Sequence, residues 1–260
     1  MINIAIVAIV KDDNVYLDEW IKYHIGIGVD EILIYDNNSK IPLSDEVKKL
    51  PEEYQSKVIV ELFPEKILSQ QVAYESGRKY YMNKARFVSF IDIDEGVVCE
   101  QPLQDLVNFY GSNPTIGCVL LQWKIFNASG QKFYENKPVI ERFTETVDDP
   151  TLDYGKTLCR PEALQCIGVH FHNVWPGYYI IHTDLGVHDY KENKQSRSCY
   201  DRIYVAHYFT KSYEEWLWKL NRGTCDERYV RKYKEFFEYN PDMQDCYEEK
   251  YEKLVEGGLD

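Results

Sequence analysis

Two acidic residues, Asp92 and Asp94, follow directly on the mostly apolar run 87–91. In an extended chain, residues two apart point to the same side, so both carboxylates can share one cation while Ile93 packs behind them. Mg²⁺ and Mn²⁺ prefer such oxygen ligands and keep coordination positions for substrate phosphates. The spacing predicts a Mn²⁺ or Mg²⁺ site, although short Asp-x-Asp motifs also occur as solvated turns.

Two other predicted strands also end in acidic residues. The β-branched run 4–10 indicates a strand covered on both faces, and Asp12 and Asp13 follow it. A second strand over 31–35 ends at Asp36. Ligands of open α/β sheets bind beyond the carboxyl ends of the strands, so three acidic strand ends together predict a ligand site. Taken singly, each acid is more often a cap or a turn residue.

The elements that must position these acids follow from hydrophobic periodicity. Strands are predicted over 57–62, 86–91 and 117–123, with helices after the first strand and over 69–83 and 102–110. Short strands and long loops are expected over 126–205, and helices over 213–221 and 226–239. This order predicts an α/β fold with helices on both faces of an open sheet. We expect one domain over 1–223, with a nucleotide-binding half to about 123 and an acceptor-side half over 124–223, and a helical extension over 224–260.

Composition narrows the classes of partner. The net charge of −13 argues against nucleic-acid binding and against adhesion to anionic membranes through a basic face. An acidic protein that handles a nucleotide diphosphate needs a divalent cation or a local basic pocket. The apolar run 4–10 is too short to span a bilayer and lacks a basic flank, so no transmembrane segment is expected.

The seven cysteines show no CxxC pair and no metal-finger spacing. Their odd number, in a chain without a secretory signal, predicts reduced thiols. We therefore expect a cytoplasmic protein, with peripheral attachment to a membrane left open.

Several collinear stretches of the chain resemble glycosyltransferase family 92 and its bacterial family 2-like relatives. The opening stretch 10–39 contains Glu19-Trp20 and Tyr35-Asp36-Asn37-Asn38-Ser39, and Phe90 to Glu95 matches the family's Asp-x-Asp segment. The further stretches are Trp123 to Gly130, Lys156 to Pro161, and the closing block from His207 to Gly223. Together these matches span roughly residues 4 to 223.

The resemblance implies a GT-A type fold, Rossmann-like, with a mostly parallel sheet. It also implies a nucleotide-sugar donor, most simply a UDP-sugar, and a carbohydrate acceptor. Nucleotide contacts are expected from Lys11, Asp12, Asp13, Asp36, Asp92 and Lys211, and metal ligands are expected to be Asp92, Asp94 and His207. From the residues alone, a histidine that follows the apolar run 203–206 is more typical of a satisfied buried side chain.

The acceptor side is less defined by sequence. Transfer with inversion needs a carboxylate general base, for which the candidates are Glu141, Glu145, Asp148, Asp149 and Asp153. Trp123, Phe126 and Trp175 can stack on sugars or fill the core. For His170 and His172, acceptor binding and core packing both stay open, and no zinc site is proposed because suitably spaced further ligands are absent.

These features predict a metal-dependent glycosyltransferase. A metal-dependent nucleotidyltransferase is an alternative, although the turn 11–14 contains no glycine for a phosphate-binding loop. A non-catalytic carbohydrate-binding protein is the second alternative. A dinucleotide oxidoreductase is disfavoured because no GxGxxG follows the first strand.

Overall fold

The computed structural model describes residues 1–147, 154–188 and 199–244. The chain divides into two compact units. The sheet unit comprises Met1–Lys124, Asp149–His207 and Thr224–Arg228, and the helical unit comprises Ile125–Asp148, Tyr208–Gly223 and Tyr229–Asp260.

The described strands are β1 (Ile2–Val10), β2 (Glu31–Asp36), β3 (Val58–Leu62), β4 (Ala85–Phe90), β5 (Glu95–Cys99), β6 (Ile116–Ile125), β7 (Gly155–Cys159), β8 (Leu164–Cys166), β9 (Asn173–Val174), β10 (Tyr179–His182) and β11 (Ile203–His207). The described α-helices are α1 (Asn14–Gly26), α2 (Leu43–Val47), α3 (Glu52–Gln55), α4 (Ser69–Tyr81), α5 (Leu103–Gly111), α6 (Val139–Arg142), α7 (Tyr213–Arg222) and α8 (Glu235–Tyr239).

The centre of the sheet unit is a parallel arrangement around β1. Strand β1 pairs in parallel with β2 and β4, and β2 pairs in parallel with β3. Every residue over 4–10 is buried, as expected for a strand covered on both faces. Ala5, Val7 and Ile9 pack in a core cluster with Ala73 and Tyr74 of α4. The β-branched run thus forms the central strand that its sequence predicts.

Beyond β4 the direction of the sheet changes. Among the described residues the strand order is β3-β2-β1-β4-β7-β6-β11-β5, with β10 beside β6. Strand β7 is antiparallel to β4, with Ser89 opposite Leu158. The start of β7 therefore lies at the edge where β4 ends. This five-residue strand is one of the short strands expected over 126–205, although its own position was not predicted because Gly155-Lys156-Thr157 does not look like the buried strand that it forms.

Helix α4 approaches β1 closely at Gly77. A Cβ atom on Gly77 would lie 2.7 Å from both methyl carbons of Val7. Since that distance is shorter than any normal carbon–carbon contact, α4 needs glycine here to pack at this depth.

Helix α1 supports β5 through three side chains. The Trp20 indole Nε1 donates to the carbonyl oxygen of Glu95 at 2.7 Å, and the Tyr23 hydroxyl donates to the carbonyl of Val97 at 2.8 Å. Nε2 of buried His24 accepts from the Val97 amide, so Nδ1 carries the proton and donates to the carbonyl of Trp20. Burial lowers the pKa of His24 to about 4, and the ring is neutral. The helix therefore holds β5 through that strand's backbone.

The helical unit has its own core and a buried ion pair. Arg142 and Glu215 form two hydrogen bonds of 2.7 and 2.8 Å with both side chains buried. Ser212 and Glu215 form a capping box at the start of α7. Of the helix predicted over 226–239, only Glu235–Tyr239 is helical.

The expectation that all the thiols are reduced is wrong for one pair. Cys118 and Cys159 are joined by a disulfide. They are direct partners across the antiparallel strands β6 and β7, with Cα atoms 4.2 Å apart. Their distance along the chain gave no sign of this pairing.

The described helices are short compared with what a bilayer requires. Within the described residues, none has the length and apolar character needed to cross a bilayer.

Candidate active site

The exits of three parallel strands lie side by side at one edge of the sheet. Val10 at the end of β1 is level with Asp36 at the end of β2, and Val7 of β1 is level with Phe90 at the end of β4. The acidic residues that follow these strands therefore leave the sheet at a common edge. This is the edge at which open α/β sheets bind their ligands.

The exits of β1 and β2 build one polar loop. Both carboxylate oxygens of buried Asp36 accept backbone amides, Oδ1 from Ser39 at 2.9 Å and Oδ2 from Leu43 at 3.0 Å. The Asp12 carboxylate accepts the amide of Lys40 at 2.7 Å, and the Asp12 amide donates to the Ser39 hydroxyl. These two acids thus fix the shape of the loop, which is the ordinary use of aspartate in turns. Neighbouring Asp13 is buried and Lys11 is half-buried.

The exit of β4 places Asp92 among three side-chain donors. Its Oδ1 accepts from Gln70 Nε2 at 2.6 Å and from the Tyr74 hydroxyl at 2.9 Å. Its Oδ2 accepts from Lys156 Nζ at 2.9 Å. Lys156 is fully buried, whereas 28% of the Asp92 side chain stays exposed. Three side chains therefore fix the Asp92 carboxylate, and part of its surface stays accessible to solvent.

Charge in this group is balanced by Lys156, which lies 3.7 Å from the buried Glu95 carboxylate. Burial acts to lower the pKa of Lys156, but the charges of Asp92 and Glu95 outweigh it and the pKa lies well above its usual value. Burial acts to raise the pKa of Asp92, yet Lys156 more than offsets this and the pKa is lowered. Burial raises the pKa of Glu95 well above its usual value. Asp92 and Lys156 therefore carry opposite charges and form an ion pair.

Asp94 meets His207 at the same turn. His207 is the partner of Glu95 in the antiparallel pairing of β11 with β5, so the end of β11 lies beside the Asp92–Glu95 turn. His207 Nε2 lies 3.9 Å from Asp94 Oδ1, and both side chains are about one-tenth exposed. Among the described residues, no group of three or more His, Cys, Asp and Glu side chains is arranged to hold a metal ion. Asp94 and His207 therefore lie together as a pair.

An aromatic group formed by Trp123, Tyr154 and His170 adjoins His207. The Trp123 ring is centred 4.3 Å from the His207 ring and 5.0 Å from the His170 ring. Tyr154 is 47% exposed and contacts the His170 ring at 5.5 Å. Burial lowers the pKa of His170 to about 4, so this ring is neutral. A neutral aromatic surface beside Asp94 and His207 suits the apolar face of a sugar ring.

The second histidine of the pair 170 and 172 belongs to the core. His172 is buried, its Nδ1 accepts from the Gly168 amide, and its Nε2 donates to the Thr157 hydroxyl at 2.7 Å. Burial lowers its pKa to about 3. For His172 the core-packing alternative describes the structure.

Other predicted residues lie elsewhere. Lys211 is buried in the helical unit, which also contains Glu141, Glu145 and Phe126, the last stacked on Tyr208. Trp175 of the sheet unit is 48% exposed. Asp148, Asp149 and Asp153 lie outside the described residues. The roles expected of the helical-unit residues and of these three acids stay predictions.

Gln70 and Tyr74 are site residues that the sequence analysis missed. They lie four residues apart on α4, and residues at that spacing share one helix face. A glutamine on the same face as buried Tyr74 and Ala73 is a signal that could have indicated them, since buried polar groups need partners.

The comparisons with known proteins agree with the stretches identified in the sequence. The family model of glycosyltransferase family 92 matches residues 4–244, nearly the whole chain. The chain belongs to glycosyltransferase family 92. Family membership confirms the predicted resemblance, and the mixed sheet with its helices confirms the predicted α/β fold class.

Similar family members come from plants. A glycosyltransferase family 92 protein of Oryza sativa subsp. japonica is 31% identical over 176 residues, covering 65% of this chain and 30% of the relative. One from Ricinus communis is 28% identical over 202 residues, covering 71% of this chain and 34% of the relative. The chain thus spans about a third of the length of these family 92 relatives.

Solved structures give distant likenesses. S. aureus TarS (residues 1–349) has a TM-score of 0.39 and 14% identity, covering 62% of this chain and 48% of that one. Glucosyl-3-phosphoglycerate synthase from Mycobacterium tuberculosis, solved with Mn²⁺, UDP and glucosyl-3-phosphoglycerate, has a TM-score of 0.35 and 16% identity, covering 63% and 58%.

Proposed function

We propose that this family 92 chain transfers a sugar from a UDP-sugar to a hydroxyl of a carbohydrate acceptor, with Mn²⁺ and with inversion. The observation that supports it best is the meeting of Asp94 and His207 beside the clamped Asp92 at the exit edge of the parallel strands. Net charge adds support, because a chain of charge −13 needs a cation to hold a nucleotide diphosphate.

The Asp94–His207 pair fits a divalent cation. Two ligands at about 2.1 Å from one cation lie at most about 4.2 Å apart, and the two atoms here are 3.9 Å apart. Such cations are commonly held by one or two protein ligands, with waters and substrate phosphates in the other positions. An imidazole ligand suits a transition-metal ion better than Mg²⁺, which favours Mn²⁺. When bound, the cation neutralises charge that develops on the departing nucleotide diphosphate.

The chain's own side chains have distinct parts in the proposed reaction. Asp92 keeps one open side for a hydroxyl of the nucleotide, while the loop shaped by Asp36 and Asp12 borders the same edge. Trp123 and Tyr154 offer an apolar face against which a sugar can lie. The general base for the acceptor hydroxyl remains among the five acids predicted from sequence.

Calorimetry with UDP, in the presence and absence of Mn²⁺, tests the proposal. We expect UDP to bind at least about tenfold more tightly with Mn²⁺, since a bound cation would offset the negative charge of the diphosphate. Asp94→Ala should abolish that gain, whereas Asp45→Ala, at an exposed acid of α2, should retain it. Absence of UDP binding in the wild-type chain, or a gain that survives in Asp94→Ala, would overturn the proposal.

Product analysis distinguishes transfer from the nucleotidyl alternative. A panel of nucleotide sugars is incubated with the chain and Mn²⁺ without acceptor. Release of UDP by hydrolysis supports glycosyl transfer. In a parallel reaction the chain receives UTP and a sugar 1-phosphate, and release of pyrophosphate with formation of a UDP-sugar would show nucleotidyl transfer instead.

A further inference from the structure

We infer that Lys156 is a positioning residue that reserves Asp92 for the nucleotide and confines the cation to the side of Asp94 and His207. Gln70 and Tyr74 complete the same clamp. The inference rests on the proposed function and assigns a role within that site to three residues of α4 and β7.

Three of the hydrogen-bond acceptor positions on the Asp92 carboxylate are already occupied. A carboxylate has about four lone-pair positions. Gln70 and Tyr74 occupy two at Oδ1, and Lys156 occupies one at Oδ2. The position that remains, on a side chain with 28% exposure, can accept one hydrogen bond from outside. A neutral hydroxyl donor, such as a ribose hydroxyl, matches that single position.

The positive charge of Lys156 disfavours a cation on Asp92. A cation bound to Asp92 Oδ2 at about 2.1 Å would lie within about 5 Å of Lys156 Nζ, because that nitrogen is 2.9 Å from the same oxygen. Two positive charges so close in a partly buried site repel each other strongly. Asp94 makes a more favourable ligand, because His207 lies 3.9 Å from it and offers a second ligand atom.

The side chains that hold Asp92 are themselves fixed by burial. Lys156 is fully buried and cannot relocate to solvent, and its position is set by the pairing of β7 with β4 and β6. Tyr74 is also fully buried, at the point where α4 packs on the sheet. The clamp is therefore part of the core, and it orients Asp92 before any ligand arrives.

Two binding measurements with opposite expected signs test the role of Lys156. Lys156→Met removes the ammonium but keeps an unbranched apolar stem. We expect UDP affinity, measured at saturating Mn²⁺, to fall about tenfold or more, because Asp92 loses its orientation. Affinity for Mn²⁺ alone, measured by electron paramagnetic resonance of the free ion, should rise severalfold because the positive charge of Lys156 no longer lies beside the carboxylates of Asp92 and Asp94. A merely structural role would lower both affinities.

Tyr74→Phe provides a gentler variant if Lys156→Met does not fold. It removes one hydrogen bond to Asp92 and should weaken UDP binding about threefold to tenfold without weakening Mn²⁺ binding. Tyr81→Phe is the matched control, since Tyr81 is another fully buried tyrosine of α4, and it should change neither affinity.

The outcomes separate the two proposals. Wild-type UDP binding that is unchanged in both Lys156→Met and Tyr74→Phe overturns the role of Lys156 and leaves the proposed function intact. A parallel fall of both affinities in Lys156→Met and in Tyr74→Phe also overturns it. A wild-type chain that binds neither UDP nor Mn²⁺ overturns the proposed function and this inference with it.

Discussion

The acids at the two strand exits are held in different ways. Asp36 takes its partners from its own loop, three and seven residues along the chain. Asp92 takes its partners from a distant helix and a distant strand, with Tyr74, Gln70 and Lys156 lying 18, 22 and 64 residues away. The exit at Asp36, which we call the local exit, is shaped by hydrogen bonds within its own turn. The exit at Asp92 and Asp94, which we call the remote exit, is shaped by contacts from distant parts of the sheet unit. Similar acids at one sheet edge therefore depend on different parts of the sequence.

The largest effect is expected at the remote exit. Asp94→Asn should lower Mn²⁺-dependent hydrolysis of a UDP-sugar by about 1000-fold, because it would weaken binding of the proposed cation, which would stabilise the leaving diphosphate. The melting temperature should stay within about 3 °C of wild type, since asparagine has nearly the same size and shape as aspartate. Steady-state kinetics with Asp45→Asn as control measures the difference. Retention of more than a tenth of the activity would contradict a cation role for Asp94.

Acid should loosen the structure behind the remote exit. His24 supports β5 and His172 bonds to Thr157 of β7, and their pKa values are lowered by burial to about 4 and about 3. The unfolded chain therefore binds more protons below about pH 6.5, and the unfolding free energy falls as the pH drops from about 6.5 toward 4. Over the full range, the loss of unfolding free energy is about 3 kcal/mol for His24 and about 5 kcal/mol for His172.

Urea denaturation across this pH range provides the measurement. His24→Gln and His172→Gln do not titrate there, so each should reduce the pH slope of the unfolding free energy by about one proton, or roughly 1.4 kcal/mol per pH unit. Slopes equal to wild type in both variants would show that these rings do not stay neutral in the folded chain.

The local exit should respond mainly in stability. Asp36→Asn replaces one carboxylate oxygen by a donor that faces the amide of Ser39 or of Leu43. A buried amide left without its acceptor costs about 1–3 kcal/mol of unfolding free energy. Chemical denaturation measures this loss, and Asp45→Asn again serves as control. If stability were unchanged while UDP affinity fell tenfold, Asp36 would act by direct contact with the nucleotide and the contrast between the exits would weaken.

A substitution on α4 tests how the remote exit depends on that helix. Gly77→Ala brings a Cβ to 2.7 Å from the methyl carbons of Val7, and relieving that contact should cost about 1–3 kcal/mol and displace Gln70 and Tyr74. Gly26→Ala, in open space at the end of α1, is the matched control and should cost little. UDP affinity that falls only in the α4 variant would tie nucleotide binding to the seating of this helix.

The contrast between the exits also explains what sequence could and could not predict. The strands around β1 were predicted because a continuous β-branched run has few other uses in a folded protein. The acids that follow them stand out for the same reason, since they interrupt buried segments. Turn residues such as Ser39 also indicated where the local loop forms. All of this information lies within a few residues of the features that it predicts.

Remote contacts needed information that one sequence does not contain. Lys156 makes β7 look polar, because hydropathy cannot show that an ion pair with Asp92 permits its burial. The pairing of Asp94 with His207 was expected only through the family resemblance, and the Cys118–Cys159 bond was not expected at all. The helix predicted over 226–239 rested on a pattern of alternating charges, and only Glu235–Tyr239 of that range is helical in the structure.

The pairing of β11 with β5 has a consequence for biosynthesis. Ribosomes make the chain from its first residue, so Asp92, Asp94 and later Lys156 emerge well before His207. The parallel strands and the clamp on Asp92 can assemble while β5 still lacks its partner, because Glu95 meets His207 only when β11 arrives. Lys156 is therefore synthesised before His207, and the proposed Asp94–His207 pair can form only after the contacts that fix Asp92 are already available.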